Sequence, residues 1–84
     1  MEKRIALIGI IVEDTAAIEQ LNRLLHDYSQ YIIGRMGIPY KERQVNIISV
    51  ALDAPMSAIS ALSGKIGTLG GMQVKTIYAK SKEE

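Results

Sequence analysis

Residues 4–12 read Arg-Ile-Ala-Leu-Ile-Gly-Ile-Ile-Val, apolar at almost every position rather than at every second one. A strand with one wet face alternates, whereas a strand covered on both faces does not. Residues 45–52, Val-Asn-Ile-Ile-Ser-Val-Ala-Leu, have the same character. Two such strands predict a sheet with something packed on each side. With 84 residues the chain reads as one domain, 1–84. A domain of this size buries roughly 60–65% of its unfolded surface, so its stability margin is thin.

The rest of the chain supplies what the two strands need. Glu13-Asp14-Thr15 breaks the first strand, and Asp14 or Thr15 can cap a following helix by accepting its free N–H groups. Ile18, Leu21, Leu25 and Tyr28 then recur at spacings of three and four, with Leu24 widening the stripe. Residues 31–38 form a poorer strand, interrupted by Gly34 and Gly37 and ended by Pro39, which places it at the edge of the sheet. After a polar turn at 39–43, residues 44–52 return as its hairpin partner. Asp53-Ala54-Pro55 opens a second helix, with Asp53 as its cap and Pro55 in its first turn. The stripe of that helix is Met56, Ile59, Leu62, Ile66 and Leu69, and Gly70-Gly71 stops it. Residues 72–79 are the last strand, and 80–84 a frayed charged tail.

The order β-α-β-β-α-β predicts an α+β, ferredoxin-like fold: a four-stranded antiparallel sheet with two helices on one face. That topology makes the first and third strands central, and these are the two most apolar. It leaves the second sheet face bare. The larger even-numbered set of the third strand, Ile48, Val50 and Leu52, is expected to face the helices. Ile5, Leu7, Ile11, Val45 and Ile47 then face outward as a patch of the kind that marks an interface. A homodimer or homotetramer is the expectation.

Composition narrows the chemistry. Ten basic residues against nine acidic give a net charge of +1, too even for a domain that binds nucleic acid by itself. There is no cysteine and one histidine, His26, so no cofactor or metal site is expected, and His26 reads as a surface or helix-end residue. Nothing approaches the roughly 18 apolar residues of a membrane span, and the N-terminus lacks a signal-peptide pattern. A soluble, cytoplasmic protein is expected. Ser63-Gly64-Lys65 lacks the spacing and the preceding strand of a P-loop, and Gly64 and Gly67 read instead as positions where the helix lies close to the sheet. Glu13-Asp14 reads as a cap with its dipole complement rather than a catalytic pair. An acylphosphatase would need an anion-binding loop where this chain has Val12-Glu13-Asp14. An RNA-recognition domain would need aromatic residues on the central strands, which carry none. No nucleophile–base pair can be assembled, so an enzyme is not expected.

One longer pattern remains. Ile59-Ser60-Ala61-Leu62-Ser63-Gly64-Lys65-Ile66-Gly67, then Leu69-x-Gly71-x-x-Val74-Lys75-Thr76, resembles the small regulators of iron-only hydrogenase systems. Ile11-Val12-Glu13-Asp14, Asn22-x-Leu24-Leu25-His26 and Arg35-x-Gly37-x-Pro39 add to the likeness. The resemblance spans about residues 3–80, and the Ser-Gly-Lys-x-Gly block is its most specific part. It implies an ACT-like domain, similar to the C-terminal domain of nickel-responsive repressors, that forms dimers or tetramers. Nickel sensing does not follow, since those domains bind the metal through several His and a Cys. The ribbon-helix-helix pattern that reads DNA in those repressors is not found in these residues, so direct nucleic-acid binding is not expected. The resemblance further implies a ligand site at a subunit interface near the loop after the first strand. Here that is Glu13, Asp14 and Thr15, with Arg35 from the edge strand. The alternative is a protein-interaction or assembly module for the hydrogenase system, without a small ligand, using the bare sheet face or the edge strand.

Overall fold

The computed structural model describes residues 2–80, so residues 81–84 of the expected tail lie outside it. Strand β1, Lys3–Val12, leads through a 3₁₀ turn, Thr15–Ala17, into helix α1, Ile18–Asp27. A second 3₁₀ turn, Ser29–Tyr31, connects to β2, Ile32–Tyr40, followed by β3, Val45–Pro55. Helix α2, Met56–Gly67, and β4, Met72–Tyr78, complete the chain. The sheet order is β2-β3-β1-β4, with every neighbouring pair antiparallel. This is the expected α+β, ferredoxin-like βαββαβ fold, with β1 and β3 central and β2 at an edge. Among the described residues no helix is long and apolar enough to cross a membrane.

The core forms where the helices meet one face of the sheet. Ala6, Ile8, Ile10 and Val12 of β1 and Ile48, Val50, Leu52 and Ala54 of β3 point into it. Leu21 and Leu25 of α1 and Ile59, Leu62 and Ile66 of α2 close it. The even parity expected of β3 is the buried one. Ile18, Leu24 and Tyr28 flank the core of α1 as half-buried residues. No polar or charged residue is buried among the described residues, so aliphatic packing alone defines the interior. Removing side chains of this kind from water contributes roughly 1.5–3 kcal/mol each.

Several local expectations need correction. Asp53 does not cap α2: β3 continues to Pro55, because the β1 register runs on through Ile5↔Asp53 to Lys3↔Pro55. Pro55 stands at the cap position, without a side-chain hydrogen bond. Of Asp14 and Thr15, Asp14 is the cap, and it caps the 3₁₀ turn: its Oδ1 accepts the Ala16 N–H at 3.0 Å. Helix α2 ends at Gly67, before Gly70-Gly71, and the Thr68 hydroxyl donates to the Lys65 carbonyl at 2.7 Å. The two later glycines instead form the turn into β4, at φ 77° and 70°, values at which only glycine is unstrained. Lastly, Gly64 does not lie against the sheet, since a methyl built there would meet no atom within 4 Å. Met56, first in the expected stripe, is also exposed. Strand β2 runs further than expected, through Pro39, which an edge strand with a single neighbour tolerates.

Candidate oligomer and ligand interface

The face opposite the helices can be read from the strand register, because residues directly opposite one another share a face. Three rows cross all four strands. Ile38–Ile47–Ile11–Gln73 is the first, Met36–Ser49–Gly9–Lys75 the second, and Gly34–Ala51–Leu7–Ile77 the third. Tyr40–Val45 and Asp53–Ile5 add partial rows at either end. Ile5, Leu7, Ile11 and Ile47 all lie exposed, as the sequence predicts, while Val45 is half-buried. Sequence reasoning missed the outer parts of this surface. Met36, Ile38 and Tyr40 of β2 and Ile77 of β4 extend it to both edges, with Ile77 66% and Met36 62% exposed. Glycines mask the alternation of β2, and its parity becomes legible only through pairing with β3. A β-bulge between Ile32 and Gly34 shifts that parity again.

The loop after β1 is held by backbone and side chain together. The Glu13 and Asp14 N–H groups both donate to the Gly71 carbonyl, at 2.7 and 3.0 Å. Glu13 Oε1 accepts the Gln73 amide at 3.5 Å. Gly71 is doubly constrained, since a Cβ there would lie 2.5 Å from the Asp14 Cβ. Glu13, Asp14 and Thr15 line a shallow cleft of ≈ 400 Å³ with Lys41 and Gln44 of the β2–β3 turn. Gln44 is the one non-glycine residue at positive φ, 56°, among the described residues. Such a conformation costs of order 1–3 kcal/mol and is enriched at functional sites. Lys41 and Gln44 escaped the sequence reading because nothing in a polar turn signals which distant loop it meets.

Arg35 does not join this cleft. It points to the helix side of β2, where its guanidinium donates to the Asn22 Oδ1 at 2.9 Å. There it lines a separate groove with Asn22, His26 and Ile33. His26 is exposed in the last turn of α1, the placement expected of it.

The Ser-Gly-Lys-x-Gly block also has a physical reading. The Thr76 hydroxyl donates to the Ser63 hydroxyl at 3.1 Å and ties α2 to β4. The Lys65 ammonium lies 5.3 Å from the centre of the Tyr28 ring, a cation–π contact joining α2 to α1. Ile66 fills the core between them. The block anchors the end of α2 and forms no phosphate cradle: Lys65 sits in the last turn of the helix, where carbonyls rather than N–H groups are free.

Residues 4–76 match a family model described as "TM1266-like: Iron-only hydrogenase system regulator, putative". No curated protein matches the chain. Among solved structures, uncharacterized protein TM1266 from Thermotoga maritima is 40% identical, with a TM-score of 0.89. The match covers 94% of this chain and 100% of that one. The de novo designed protein Foldit4 matches at 14% identity and a TM-score of 0.59, over 96% of this chain and all of its own, which speaks to the fold alone. The model match covers most of the chain, and the same residues carry the core, the loop after β1 and the anchored end of α2; the chain belongs to the TM1266-like family of iron-only hydrogenase system regulators.

Proposed function

We propose that this chain is a non-enzymatic regulatory body that works as a homodimer or homotetramer, its copies associating through the bare sheet face. The observation that carries the reading is the continuity of that face. Apolar side chains on all four strands form one surface, where a monomer ordinarily scatters them singly. Light scattering across a wide range of concentration tests it. A mass that holds at a multiple of 9.2 kDa supports the reading. A monomer at every concentration overturns it.

A small ligand sensed at the cleft of Glu13, Asp14, Thr15, Lys41 and Gln44 fits the same role. Two carboxylates and an ammonium around one cleft suit a zwitterion. A ligand that binds the native state raises its stability by RT ln(1 + [L]/Kd), about 2.7 kcal/mol at a hundredfold excess over Kd. An amino-acid panel should therefore contain a compound that raises the melting temperature of the native protein and not of Lys41→Ala. A panel without any shift counts against the cleft.

A second reading, an assembly module for the hydrogenase system, draws on β2. It has only β3 as a neighbour, and Ile33 at its bulge is 63% exposed, so its free edge could take up a partner strand. Recovery of a defined hydrogenase-system protein with the native chain, lost on Ile33→Lys, would favour it. Recovery of the chain alone would exclude it.

A further inference from the structure

In the middle row of the open face, Met36–Ser49–Gly9–Lys75, the two central positions carry only a hydroxymethyl group and a hydrogen atom. Gly9 has no side chain, and a methyl built on it would meet only the Lys75 carbonyl, at 3.9 Å. The result is a depression of ≈ 310 Å³ over Gly9 and Ser49, walled by Ile11 and Ile47, with Gln73 and Lys75 at one end. That volume is at the lower limit of small-molecule sites, about 300–1,000 Å³, which are mostly apolar with a few placed polar groups. Glycine weakens the interior of a strand and often marks the close approach of another group. Here it stands in a central strand, and the structure around it has room for a side chain.

Charge identifies the occupant. Lys75 is the one ionisable residue lining the depression, and it makes no ion pair among the described residues. The carboxylates bordering the face do not answer it: Glu13 accepts the Gln73 amide, and Asp53 lies opposite Ile5 in another row. Covering this face removes the Lys75 ammonium from water, and a buried cation without a counter-charge is strongly disfavoured. A two-fold pairing of copies brings two such cations under one cover.

We propose that the depression binds an aliphatic monocarboxylate. Its chain lies over Gly9 and Ser49 along the wall formed by Ile11 and Ile47, its carboxylate meets Lys75, and the Ser49 hydroxyl is available as a further donor. The site is separate from the cleft at Glu13–Thr15. It rests on the proposed association for its enclosure and for the burial of Lys75 that calls for a counter-charge, while its contacts all come from one copy.

Calorimetric titration of the native protein with decanoate tests this, with acetate and decyltrimethylammonium as controls and sedimentation velocity run on the same samples. Saturable binding of decanoate and of neither control is expected. Gly9→Ala, whose methyl has room in the folded strand, and Lys75→Gln should each weaken it by at least about tenfold. Absence of saturable decanoate binding overturns the proposal, as does equal binding by native protein and both variants. Absence of uptake together with dissociation of an oligomer by Asp53→Asn assigns the Lys75 counter-charge to a second copy, and likewise overturns it. A monomer that binds decanoate with both dependences keeps the site and removes the oligomer. An oligomer that takes up none removes the site alone.

Discussion

Gly70 and Gly71 are neighbours with the same backbone sign and different surroundings. At Gly70 a Cβ would enter open space, so Gly70→Ala bears only the left-handed penalty, about 1–2 kcal/mol. At Gly71 the same Cβ would lie 2.5 Å from the Asp14 Cβ, so the loop after β1 must also shift. We expect Gly71→Ala to cost about 1–3 kcal/mol more than Gly70→Ala, read as the difference in urea midpoint at equal slope. Equal midpoints would show that the loop yields freely. Ser63→Ala removes the acceptor of the Thr76 hydroxyl and should cost about 1 kcal/mol by the same assay. Sequence reasoning recognised Ser63 and Gly71 as parts of a pattern. It did not supply their reason, because Thr76 and Asp14 are distant in the chain and meet only through the fold.

Element by element, periodicity performed well wherever a side chain enters the core. Leu21 and Leu25 in α1 and Ile59, Leu62 and Ile66 in α2 are the buried members of the expected stripes. Leu62→Ala should cost about 2–5 kcal/mol, measured by denaturant unfolding, since Leu62 is fully buried between α2 and the sheet. The element ends were less legible. Asp53-Ala54-Pro55 carries a helix-start signal that is genuine locally. It is overridden because the β1 ladder continues through those residues and holds them extended. Asp14, by contrast, has no competing ladder partner, and its cap forms. Asp14→Ala should cost about 1 kcal/mol, with the loss in thermal unfolding exceeding that of Thr15→Ala, whose side chain makes no cap.

At the scale of the molecule, the open face is where the proposed association can be tested. Leu7 and Ile11 lie on either side of Gly9 along that face of the central strand. The double variant Leu7→Lys, Ile11→Lys should keep the native far-UV circular dichroism while lowering the mass in light scattering to that of one copy. An unchanged mass would move the association to the β2 edge. Read alone, the chain yields the α+β order, two central apolar strands and the expectation of a second apolar face, and it favours the even parity of β3 that the fold buries. Each of these follows from local periodicity, which needs no knowledge of distant partners. The make-up of that face and of the cleft comes from pairing and packing in three dimensions. Register aligned Met36, Ile38 and Ile77 with the central strands, turned Arg35 to the helix side beside Asn22, and brought Lys41 and Gln44 to Glu13. The physical reason is that a one-residue slip or a single bulge reverses which face a side chain occupies, and such a shift is fixed by pairing across the sheet rather than by any pattern within one strand.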